Sequence, residues 1–98
     1  MQSTVIIVSG DVEEIHRRWR DELLPVAAER AADYGWTRSI VARTGDELVV
    51  VNLWEDADGL DRAFADPQIA RIQDERLAPL AAAAPQVRRL EVLEDLSF

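Results

Sequence analysis

An α+β fold with the element order β-α-β-β-α-β follows from three features of the sequence. Short β-branched runs alternate with stretches whose apolar residues recur every three or four positions, the periodicities of strand and helix. Turn residues mark each change from one to the other, and a hairpin signal sits in the middle of the chain. This order is the split-βαβ, ferredoxin-like arrangement, a four-stranded antiparallel sheet with both helices on one face.

Thr4-Val-Ile-Ile-Val8 reads as a strand, ended by the turn pair Ser9-Gly10. Asp11 caps the helix that follows, and Glu14, three residues on, completes a capping box. Val12, Ile15, Trp19, Leu23, Val26, Ala27 and Ala31 then recur at helical spacing. Pro25 bends this helix, and Gly35 supplies the left-handed residue that ends it near Tyr34. Trp36 to Arg43 and Glu47 to Trp54 flank Thr44-Gly45-Asp46 as a hairpin. With Thr44 opposite Glu47, Ser39 faces Asn52 and Thr37 faces Trp54 on one side of the sheet, beside Val41 and Val50. Trp36, Arg38, Ile40, Val49, Val51 and Leu53 then take the other side. Asp56 caps a short helix running to Ala65, and Asp66-Pro67 restarts it with a capping carboxylate ahead of a first-turn Pro. Ile69, Ile72, Leu77, Leu80 and Ala84 form the apolar face of that segment, Pro79 and Pro85 punctuate it, and Val87 to Leu93 is the last strand.

Ninety-eight residues provide one core, hence one domain. The basic residues are 11 Arg with no Lys, the chain has no Cys and one His, and the net charge is −8. Lys-based Schiff-base chemistry, thiol nucleophiles, disulfides and thiolate metal sites are thereby excluded, as is any site needing two imidazoles from one chain. An acidic chain with scattered Arg is repelled by phosphate backbones and anionic lipid, so neither nucleic acid nor membrane is expected as a partner. With no signal-type leader and no long apolar run, a cytoplasmic location is expected.

Val5-Ile-Ile-Val8 and Leu48-Val-Val-Val51 are continuously apolar, the mark of strands covered on both faces. Two helices cover one face of a four-stranded sheet. A second copy of the same sheet is the simplest cover for the other, which predicts a homodimer through the sheet face.

The stretch Trp54-Glu-Asp-Ala-Asp-Gly-Leu-Asp-Arg-Ala-Phe-Ala-Asp-Pro-Gln-Ile69, with Gly10 before the first helix and Gly35 before the second strand, resembles the antibiotic biosynthesis monooxygenase family. That family belongs to the dimeric α/β barrel superfamily, and the resemblance spans nearly the whole chain. It implies a single domain of this kind over residues 1–98 and a pocket between sheet and helices. It also implies oxidation of a polycyclic phenol or quinol by O₂ without a cofactor. Haem-degrading relatives hold haem through a His on the second helix. Where many quinol-oxidising relatives carry His, this chain has Ala63 and Gln68, and the haem-ligand position falls at about Gln73.

His16 is the only side chain whose ordinary pKa lies near neutrality, so a general base is sought there first. Its place beside Ile15 and Trp19, at the edge of the buried stripe, gives it a structural role that is the simpler of the two readings. Asn52, inside an apolar strand, needs hydrogen-bond partners, which Ser39 across the hairpin can supply. Alternatively, Asn52 and Ser39 orient a ligand's carbonyl or hydroxyl, with Trp54 and Thr37 extending the same wall. Arg38 snorkels to the rim, pairs with an acidic residue across the interface, or receives an anionic substrate. Pairs among Asp56, Asp58 and Asp61 read as helix-start charge, so no metal is expected. The expected function is a cofactor-independent monooxygenase acting on a small apolar, aromatic or polyketide-like ligand. The alternatives are a non-catalytic ligand-binding or structural dimer and an isomerase or decarboxylase on this scaffold.

Overall fold

In the computed structural model, which describes residues 1–98, the N-terminal β-branched run becomes β1 (Gln2–Ser9), a central strand. The other strands are β2 (Trp36–Thr44), β3 (Glu47–Trp54) and β4 (Gln86–Glu91), antiparallel in the order β2-β3-β1-β4. The two continuously apolar strands are therefore neighbours at the middle of the sheet. Thr44 pairs with Glu47 across Gly45-Asp46, and Ser39 pairs with Asn52, as the sequence predicts.

The register then breaks between Trp36 and Arg38. Thr37 is the extra residue of a β-bulge, so Trp36 rather than Thr37 lies opposite Trp54. This corrects the predicted faces: the bulge brings Trp36 to the helix side and leaves Thr37 exposed, its hydroxyl donating to the Leu53 carbonyl at 3.3 Å. A bulge inserts one residue without changing the apolar pattern, which is why strict alternation misplaces both.

The first helical layer starts where Asp11 accepts a hydrogen bond from the Glu14 N–H and runs through α1 (Val12–Arg18), α2 (Leu24–Glu29) and α3 (Ala31–Tyr34). Between α1 and α2, Trp19–Leu23 widens into a π-turn, with the Leu24 N–H reaching back to the Trp19 carbonyl. Pro25 supplies the cause: it donates no hydrogen bond and crowds the carbonyl four residues earlier. Gly35 ends the layer at φ 66°, a left-handed conformation that side chains disfavour.

The second layer repeats the device. It comprises α4 (Gly59–Ala65), α5 (Pro67–Ile72), a π-turn at Gln73–Leu77 and a 3₁₀ turn at Ala78–Leu80 containing Pro79. The predicted cap at Asp56 does not form, its carboxylate accepting from Arg62 instead, and Ala84 is exposed beyond the last turn. Gly59 begins α4 because a Cβ there would collide with the Tyr34 carbonyl and lie 2.7 Å from the Trp54 ring. The Arg76 guanidinium, in the second π-turn, donates to both carboxylate oxygens of Glu22 in the first, at 2.8 and 3.2 Å. Arg18 donates to the Arg76 carbonyl at 3.0 Å, so the two widened turns are tied together. No helix is long and apolar enough to cross a membrane.

Two buried clusters pack between these layers and the sheet. One holds Leu23, Ala27, Tyr34, Trp54, Leu60, Ala63, Ile69 and Leu77, and the other Val12, Ile15, Leu48 and Val50. Ile6 and Trp19 pack against both.

Candidate functional site

Between the clusters lies a cavity of about 510 Å³. Its sheet wall comprises Ile6 and Val8 of β1, Trp36 of β2, Leu48, Val50, Asn52 and Trp54 of β3, and Val87 of β4. This follows from the pleat, which sends alternate residues of β3 toward the helices. The helix wall includes Trp19 and Gln73, the first residues of the two π-turns, with Asp74 next to Gln73. Twenty of the 24 lining residues are hydrophobic, so Asn52, Gln73 and Asp74 carry the polar functions that stand out from this wall.

The polar end of the sheet wall is built from one directly opposed pair and two diagonal ones. The Trp36 and Trp54 rings stack at 6.2 Å between centroids and 27° between planes. Trp54 donates its indole N–H to Thr4 Oγ1 at 2.9 Å, and Trp36 donates its own to Asn52 Oδ1 at 3.1 Å. An indole nitrogen only donates, so the Trp36 bond identifies the acceptor oxygen of the amide. Asn52 is 5% exposed, and its Nδ2 group has no partner within the chain, though it is not sealed off. The opening left to it is the cavity.

Tyr34 closes one end. Its ring lines the cavity while its hydroxyl donates to Asp66 Oδ2 at 2.7 Å. Arg30 donates to the same oxygen, and through Nη2 to Gln68 Oε1 at 2.9 Å; the Gln68 backbone N–H donates to Asp66 Oδ1 at 3.0 Å. The Tyr34 hydroxyl first, then Arg30 and the Gln68 N–H, hold the Asp66 carboxyl down to about 2. Burial, with the neighbouring Asp66 carboxylate, pushes the Tyr34 phenol above its ordinary value.

Of the residues singled out from the sequence, Asn52 and Trp54 meet in the cavity wall. Ser39 sits beside Asn52 in register but outside the lining, and its buried hydroxyl has no partner; Trp36 takes the bond expected of it. His16 lies half-buried on α1, its ring 6.5 Å from that of Trp19, also outside the lining. Arg38 is exposed and pairs with Leu53 on the sheet face away from the helices. Sequence reasoning put Trp36 on the opposite face, from which the bulge turns it, and gave no site role to Gln73 and Asp74, although they follow the lining residues Ile69 and Ala70 by one helical turn. The Pro25 and Pro79 spacing was the available signal for the widened turns.

No family model and no curated protein matches the sequence. Solved structures do match. A dimeric ferredoxin-like protein from an uncultured marine organism superposes with a TM-score of 0.80 at 10% identity, covering 99% of this chain and 91% of the other. A variant of MhuD with two manganese protoporphyrin IX molecules bound per active site gives 0.74 at 17% identity, covering 100% of both chains. An antibiotic biosynthesis monooxygenase gives 0.70 at 13% identity over 96% of this chain and 100% of its own. The residues here do not suit a porphyrin iron: no imidazole lines the cavity, Gln73 stands near the expected ligand position, and the Tyr34 hydroxyl is engaged by Asp66. At these identities the likeness is one of fold, and the chain has the ferredoxin-like α+β fold of structural neighbours that include antibiotic biosynthesis monooxygenases.

Proposed function

We propose that this chain binds a small polycyclic aromatic metabolite in the cavity and oxidises it with O₂ as a cofactor-independent monooxygenase, working as a homodimer through the sheet. The supporting observation is the cavity, apolar almost throughout yet carrying a buried amide on one wall and, on the other, a half-buried carboxamide and a carboxylate that is exposed at the rim. For an anthrone-type substrate the reaction balances as a ring CH₂ plus O₂ giving a ring C=O plus water. All four electrons come from the substrate, so the protein need only take a proton, hold the resulting anion and exclude water.

In this reading Asp74 receives the substrate proton, Asn52 donates to the developing oxyanion, and the stacked Trp36 and Trp54 form the wall against the ring system. His16, outside the lining, is left without a role in the reaction, as are Thr37 and Arg38. Oxygen consumption with a panel of anthrones and quinols tests the proposal. Turnover above the uncatalysed rate is expected, falling about 10- to 100-fold in Asn52→Leu, the scale of losing one oxyanion donor and less than that of a fully enclosed site. Binding without turnover across the panel would replace this reading with that of a ligand-binding protein.

A further inference from the structure

We infer that Trp36 sets the polarity of the sheet wall of the cavity, so that the ligand end seated against this wall is selected as a hydrogen-bond acceptor oxygen over an isosteric donor, for which acceptors exist only on the opposite wall at Gln73 and Asp74. The inference deepens the reading above and rests on the cavity being a ligand site.

A carboxamide can present either of its two ends, and a half-turn about its last bond exchanges donor for acceptor. At Asn52 that freedom is removed. Trp36 places a donor-only N–H 3.1 Å from the Asn52 oxygen, and turning the amide would set N–H against N–H in a site that is 95% enclosed by the chain's own atoms. The NH₂ end therefore faces the cavity. The other hydrogen-bonding groups of the sheet wall are occupied, since the Trp54 N–H is bound to Thr4 and the Trp36 N–H to Asn52 itself. The sheet wall thus offers one unspent group, a donor. An acceptor oxygen on the ligand satisfies it, a ring N–H faces it donor to donor, and a bare hydrocarbon leaves it unpaired.

Trp36 acts through Asn52, so its role is one of positioning, and the discriminating measurement is a ratio of affinities. Three tricycles of nearly the same shape serve as probes: fluorenone, which only accepts, carbazole, which donates through N–H, and fluorene, which does neither. Equilibrium dialysis of the full chain should give fluorenone an advantage of about tenfold over each of the others, the scale of one buried hydrogen bond. Trp36→Phe keeps an aromatic ring but frees the amide to turn, and should bring the fluorenone-to-carbazole ratio to within about twofold. Asn52→Leu should remove the preference for fluorenone over fluorene. In the parent protein, which needs no variant to fold, the Asn52 side-chain amide protons should shift in NMR spectra on adding fluorenone more than on adding fluorene. Equal affinity for the three probes, or a parent-like ratio in Trp36→Phe, would overturn the inference while leaving the cavity a ligand site. Failure of all three to bind would overturn both.

Discussion

Asn52 and Ser39 face each other across the hairpin, yet their environments diverge. Asn52 takes the Trp36 N–H, whereas the Ser39 hydroxyl is buried with no partner. An unpaired buried hydroxyl is a liability to the fold and its removal relieves it. Ser39→Ala should therefore match or exceed the parent in stability, by up to about 1 kcal/mol, or roughly 4–8 °C in melting temperature for a chain of this size. A melting temperature lowered by that amount would mean that Ser39 holds a partner after all. The register of these two residues was legible in the sequence, because the turn length sets it. Which neighbour Asn52 would choose was not, because the choice depends on one bulged residue.

The helical elements are joined by ion pairs and hydrogen bonds as well as by apolar packing. Asp66 caps α5 and also receives Tyr34 and Arg30 from the first layer, so one carboxylate joins α3 to α5 beside the cavity. Its folded-state pKa is depressed from 3.8 to about 2, with the Tyr34 hydrogen bond the largest cause. A depressed acid stabilises the folded state above its unfolded pKa and loses that contribution as pH falls through the folded value. Asp66→Asn should accordingly lose stability at pH 7 relative to the parent, and the gap should shrink as both are acidified to about pH 2. Denaturant titrations at the two pH values measure it, and a gap that is constant with pH would rule out the ionised latch. Asp66-Pro67 was readable as a helix start; its bonds to Arg30 and Tyr34, more than 30 residues earlier, carry no local sequence signal.

At the scale of the whole molecule the unbalanced feature is the sheet face away from the helices. Val5 and Ile7 of β1 and Val49, Val51 and Leu53 of β3 are only half-buried there, while Ile40 and Leu90 on the flanking strands are 48% and 47% exposed. A contiguous patch of this kind marks an interaction surface, and self-pairing about a two-fold axis covers it with the same chemistry. Sedimentation at micromolar concentration should show a dimer. Val51→Glu, which places a charge opposite Val5 and Ile40 at the centre of the face, should give a folded monomer. A parent protein that sediments as a monomer would remove the homodimer from the proposal.

By itself, the sequence determined the strand order, the hairpin register as far as Arg38, the helix caps at Asp11 and Asp66 and the apolar excess of the central strands. These depend on periodicity, turn chemistry and composition, which are local properties of the chain. Only the tertiary structure decided which polar side chains face the cavity. A bulge at Thr37 shifts Trp36 relative to the regular strand pattern and so brings it to Asn52 in the cavity wall, whereas Gln73 and Asp74 follow Ile69 and Ala70 at helical spacing. Regular strand periodicity predicts faces, and it fails at the one place where an extra residue interrupts it.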